Sequence, residues 1–119
     1  MLYSKSWNLV QEIPYQKHYR IWRSRISYAD YEAIVDHLDS LIEGTEVLTS
    51  SWIPGSDWTG TPFEPIYSAC RFDVNAAAQF YGLILWDVIM RRSDCWSCDH
   101  YEKDGIPIKG LTYFKIDCP

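Results

Sequence analysis

Cys95-Trp96-Ser97-Cys98 is the one short run whose residue types and spacing carry a sharp chemistry. Two thiols so spaced can form a redox pair, provided that a helix N-terminus stabilises one thiolate. Here the run follows the end of an apolar helical segment, where the dipole has the wrong sign to lower a thiol pKa. Redox activity is therefore disfavoured. The pair also has the spacing of half a zinc site, which Cys70, His100 or Cys118 would have to complete. A second Cys-x-x-Cys is missing, and the metal reading is kept only as an alternative: a zinc-stabilised structural or adaptor domain built on Cys95 and Cys98.

No catalytic motif is visible. The chain has no phosphate-cradling glycine loop, no His-Glu zinc-protease helix and no nucleophile elbow. His18, His37 and His100 each lack a Ser, Cys or Asp partner at a recognised spacing. The expectation is a non-enzyme without a cofactor.

Charge distribution is more informative. From Ile26 through Cys70 there is no Lys or Arg, while Asp30, Glu32, Asp36, Asp39, Glu43, Glu46, Asp57 and Glu64 fall in that span. Glu32, Asp36, Asp39 and Glu43 follow one another at spacings of four, three and four, so on a helix they form one stripe. Like charges so placed destabilise a helix by about a few tenths of a kcal/mol per pair. Such a stripe also suits a strongly basic partner surface, because complementary charge speeds encounter and selects partners. Trp52, Trp58 and Tyr28 are the nearby rings that could anchor such a contact. An acidic face also aids solubility without any partner.

The opposite signal precedes it. Lys17, Arg20, Arg23 and Arg25 surround Tyr19 and Trp22, a mixture found on single-stranded nucleic-acid platforms. A net charge of −5 argues against that role, since nucleic-acid domains usually carry the opposite sign.

The elements that must position these residues follow from periodicity and caps. Residues 3–13 and 17–25 read as two extended segments split by Pro14, able to pair as a hairpin. Ser27 and Asp30 give a capping-box-like start and Gly44 a stop, with Tyr31, Ile34, Val35, Leu38, Leu41 and Ile42 on one helical face. A helix over about 28–43 follows. Thr45–Ile53 reads as a strand, and residues 58–65 as a loop ordered by Trp58 and Phe63. Asp73 caps a second helix, about 75–92, apolar around nearly its whole circumference and broken only by Gln79, Gly82 and Asp87. Its glycine suggests close approach by another element. Cys98–Lys103 and Ile106–Ile116 flank an Asp104-Gly105 turn and read as a hairpin.

At 119 residues, 47% of them hydrophobic, the chain fits a single domain spanning 1–119 with a real core. The element order describes an α+β fold, a mixed or antiparallel sheet carrying two helices. No signal-peptide pattern or membrane-length apolar run appears, so a cytoplasmic location is expected, with the four cysteines as thiols or metal ligands and not disulfides. The reading that joins these observations is a small acidic inhibitor occluding a basic surface of another protein. A nuclease-like toxin neutralised by an immunity protein, or a defence protein blocked by a phage-type inhibitor, would be such a partner. Neither nucleic acid nor membrane is expected to be bound directly. The stripe, with Glu46, Trp52, Asp57 and Trp58, is the candidate contact surface.

Overall fold

The computed structural model describes residues 1–49, 58, 60–100, 102–103, 105–107 and 110–119. Its centre is helix α4, Val74–Arg91. Asp73 caps it by accepting from the backbone N–H groups of Asn75 and Ala76 at 2.9 and 3.1 Å. Phe80, Leu83, Ile84, Val88 and Ile89 are all buried, as the unbroken apolar surface requires. Trp86 is only half-buried, because its indole N–H reaches out to the Glu12 carbonyl at 3.1 Å.

Three helices pack around α4. Helix α2, Tyr28–Ile42, starts where expected, with the Ser27 side chain accepting from Asp30 N–H at 3.1 Å. It stops at Gly44, whose φ of +79° suits the left-handed position that glycine adopts without strain. Tyr31, Ile34, Val35, Leu38 and Ile42 face the core, while Leu41 lies at its exposed margin. Helix α3, Glu64–Ala69, starts at the end of the stretch 58–65 that the sequence reads as a loop and runs on through residues given no element. The burial expected in that stretch is present: Trp58 and Phe63 are 2% and 1% exposed, and both lie edge-on to Tyr81.

Helix α1, Gln16–Arg23, corrects the extended reading of residues 17–25. Alternating aromatic, aliphatic and basic types imitate a strand, yet Tyr19, Trp22 and Ile26 recur at helical spacing and turn towards α4. Tyr19 and Trp22 both pack against Phe80. These rings are used in the core, so they offer no platform for bases.

The sheet runs β2-β1-β4-β7-β3 and is mixed. β1 (Leu2–Tyr3) pairs antiparallel with β2 (Leu9–Val10) and parallel with β4 (Cys95–Asp99). β4 pairs antiparallel with β7 (Thr112–Ile116), which pairs antiparallel with β3 (Val47–Thr49). The expected N-terminal hairpin is therefore formed within residues 2–10, and not with 17–25. The remainder of the expected 45–53 strand lies outside the described residues. Around Gly105, β5 (Glu102–Lys103) and β6 (Ile106–Pro107) make a separate two-stranded ribbon, so the C-terminal hairpin is interrupted between β4 and β7. Register places Leu2, Trp96, Tyr113 and Leu48 on the face that joins the helical core, with Trp86 of α4 edge-on to Tyr113. The fold is α+β, with four helices among the described residues rather than two. Among the described residues no helix is long and apolar enough to cross a membrane.

One interruption in α4 has a meaning that differs from the expectation. Gly82 admits no close neighbour: a Cβ there would meet no described atom within 4 Å. Asp87, a second interruption, is 7% exposed and hydrogen-bonded. Neighbouring positions should therefore respond to alanine with opposite signs. Ile84→Ala, which empties a fully buried site, is expected to cost about 2–5 kcal/mol in denaturant unfolding. Gly82→Ala is expected to gain up to about 1 kcal/mol from helix propensity alone. A loss at Gly82 would show that something does pack there.

Candidate functional site

Asp39 sits in the last turn of α2 and Glu43 caps its C-terminal end, where the helix dipole is unfavourable to a carboxylate. Arg92, the residue that ends α4, answers them. Its guanidinium donates to Asp39 Oδ1 at 2.5 Å, to the Asp39 carbonyl at 3.3 Å and to Glu43 Oε2 at 2.8 Å. The same guanidinium grips Asp94 with two bonds, Nε to Oδ1 at 2.9 Å and Nη2 to Oδ2 at 3.0 Å. The Arg92 side chain is only 10% exposed, beneath carboxylates that are 54% (Asp39) and 77% (Glu43) exposed. Hydrogen bonds to Asp94 come first among the causes that raise the Arg92 pKa and keep it charged. Those from Arg92 come first in holding the Asp94 carboxyl below its ordinary range.

The neighbouring arginine, one residue earlier, reaches back a turn to a buried carboxylate. Arg91 pairs with Asp87 at 2.9 Å and with Glu32 at 3.5 Å. Tyr31 donates to Asp87 Oδ2 at 2.8 Å, which leaves its oxygen to accept from the Tyr19 hydroxyl at 2.7 Å. Arg23 lies over the Tyr31 ring at 4.1 Å. Burial first, then the bonded Tyr19 and the Asp87 charge, push the Tyr31 phenol far above its usual pKa. It stays protonated and remains a donor.

The stripe read from spacing is thus one physical feature, but three of its four carboxylates are balanced from within the chain. Glu32 is paired with Arg91, and Asp39 and Glu43 with Arg92. Asp36 is exposed and has no partner among the described residues. Together Val35, Asp36, Asp39, Glu43, Arg91 and Arg92 line a groove of about 360 Å³ between α2 and the end of α4. Glu46 is exposed just past the α2 stop, before β3. Tyr28, 73% exposed, stands at the other end of α2.

Other expected site residues are placed differently. Trp58 is a correction: it is buried, stacked on Tyr67 with centroids 6.4 Å apart, and cannot anchor a partner. Trp52 and Asp57 lie outside the described residues. The metal candidates do not converge. Cys95 is bonded to Cys118, which also overturns the expectation of thiols at these two positions. Cys95 and Cys98, three apart on β4, point to opposite faces of the sheet. Cys70 is buried at the end of α3, its thiol pushed up to about 12 by burial, and His100 is exposed. Among the described residues no three metal-ligating side chains gather. His18 stacks on Trp22 and His37 meets the Phe63 edge, so both serve packing.

Sequence reasoning misses the two arginines as members of the site. Their signal is positional: a basic pair closing one helix, after a long stretch without any cation. The Tyr31–Asp87 bond also has a signal, a lone carboxylate in an otherwise apolar helix. Comparison with family models, curated proteins and solved structures yields no match for this chain. Function must be argued from the site itself.

Two outcomes test this electrostatic geometry. Tyr31→Phe removes a buried hydrogen bond to a charged group and is expected to cost about 1.5–3 kcal/mol in denaturant unfolding. The acid limb reports on Asp94. Its folded pKa is depressed below the unfolded value of about 4. Its contribution is therefore present above that pH and lost as pH falls through the folded pKa. Wild-type protein should lose more stability than Asp94→Asn on going from pH 5 to pH 2, as read by thermal melts. Parallel acid limbs would show that Asp94 contributes nothing.

Proposed function

We propose that the protein binds another protein and occludes a basic surface on it, using the outer face of α2 and the groove beside it. The observation that carries this reading is the presentation of Asp36, Asp39 and Glu43 towards solvent on one wall of the groove. Arg92 supports two of them from below. Rigid carboxylates lose little side-chain entropy on binding, which favours electrostatic recognition. With Glu46 beyond the helix end, the outward-facing charge is negative, as the cation-free stretch 26–70 requires.

A basic surface of this kind belongs to proteins that handle nucleic acids. A nuclease-like toxin, or a nucleic-acid-binding defence protein, is therefore the partner class, met in the cytoplasm. Tyr28 is the exposed ring best placed to add apolar area at the rim. Nucleic acid itself is a poor ligand for this face, because phosphates would meet carboxylates.

Capture from the native host with wild-type protein and with an Asp36→Lys, Glu43→Lys variant, followed by association kinetics at several salt concentrations, tests the reading. The wild-type protein should retain a basic partner whose association slows as salt rises. The variant should associate at least about tenfold more slowly while melting as a folded protein. Association indifferent to salt, or equal for both proteins, removes the acidic face from function.

A further inference from the structure

We propose that the Cys95–Cys118 disulfide is a thiol-exchange site, attacked at Cys118 by a dithiol reductant, whose opening releases the C-terminal segment from the sheet. The bond joins sites of unequal access. Cys95 opens β4 and is 1% exposed, whereas Cys118 lies two residues past β7 and is exposed. Since Cys95 is paired with Ile116 across the two strands, the link closes the β4–β7 pair at the end away from the 100–110 connection.

Exchange requires the attacking thiolate, the attacked sulfur and the leaving sulfur to lie in line. Approach from solvent is open only towards Cys118. A dithiol thiolate bonds to Cys118 Sγ, the disulfide breaks, and the electron pair leaves on Cys95 Sγ, which then takes a proton. The reagent's second thiolate attacks the reagent sulfur of the mixed disulfide, expels the Cys118 thiolate and leaves the reagent as a cyclic disulfide. Two electrons and two protons pass to the protein. A monothiol instead stops at the adduct on Cys118, from which the adjacent Cys95 thiolate can re-form the original bond.

The remaining cysteines cannot take part. Cys98 is on the opposite face of β4 from Cys95, and Cys70 is buried at the end of α3. The Cys-x-x-Cys spacing thus carries no exchange chemistry of its own, and the reductant must be external. Among the described residues, 117–119 make no hydrogen bond or ion pair, so the disulfide is their tether. Cys95 also adjoins Asp94, the residue gripped by Arg92, and Trp96, whose N–H bonds to the Met1 carbonyl at 2.9 Å. Opening the tether loosens that corner as well.

The full chain, equilibrated in an oxidising buffer, is treated under native conditions with glutathione or with dithiothreitol. It is then quenched with an alkylating reagent and mapped by mass spectrometry. Before treatment, denatured protein should show two alkylatable thiols, Cys70 and Cys98. Glutathione should add at Cys118, and dithiothreitol should free both Cys95 and Cys118. Amide exchange across 95–98 and 112–116 should then rise at least about tenfold. Cys98→Ser should open at the wild-type rate, and Cys118→Ser should exchange like reduced protein. An adduct at Cys95, slower opening in Cys98→Ser, four thiols before treatment, or a bond that resists dithiothreitol in the native state overturns the proposal.

Discussion

The Arg92 guanidinium is the constraint on which the arrangement of this molecule turns. It ends α4, closes over the last turn of α2 through Asp39 and Glu43, and fixes the entry to β4 through Asp94. Two helices and the sheet are tied by one side chain that is itself mostly buried. Without it, the C-terminal end of α2 would hold two carboxylates against the negative end of its own dipole. The Met1 ammonium joins this corner, donating to the carbonyls of Ile89, Arg92 and Asp94. The Arg92 carbonyl, left open at the α4 terminus, is thereby satisfied.

Arg91, itself half-exposed, makes the companion tie to a buried carboxylate. Its bonds to Asp87 compensate a carboxylate that would otherwise be costly inside an apolar helix, and Tyr31 completes the set from α2. The α2–α4 seam is thus held by apolar packing along its length and by two arginines at its end, Arg91 on Asp87 and Glu32 and Arg92 on Asp39 and Glu43. The acidic surface is a product of the same seam. Asp39 and Glu43 are displayed with the Arg92 cation behind them, while Asp36 stands beside them without one.

What the sequence discloses tracks how local each signal is. The bounds of α2 and α4 were legible because Ser27, Gly44 and Asp73 sit at their ends and the apolar period is regular between them. α1 was not, since its eight residues mix β-formers with arginines, and only burial of Tyr19 and Trp22 against Phe80 decides for helix. The stripe was visible as spacing, but its pairing with Arg91 and Arg92 joins residues about fifty positions apart, which no local pattern contains. Cys95 pairs with Cys118 rather than with its near neighbour because a strand sends positions three apart to opposite faces. Burial of Trp58 depends likewise on Tyr67 and Tyr81.

A double-mutant cycle between Arg92 and Asp39 tests the central claim most directly, with Arg92→Ala, Asp39→Ala and the double variant unfolded in denaturant at neutral pH. If Arg92 is the tie between the two helix ends, the cycle gives a coupling of about 1 kcal/mol, shrinking as salt is raised. Additivity within about 0.3 kcal/mol would contradict the account. The helices would then be held by packing alone, and the acidic face would owe nothing to the cation behind it.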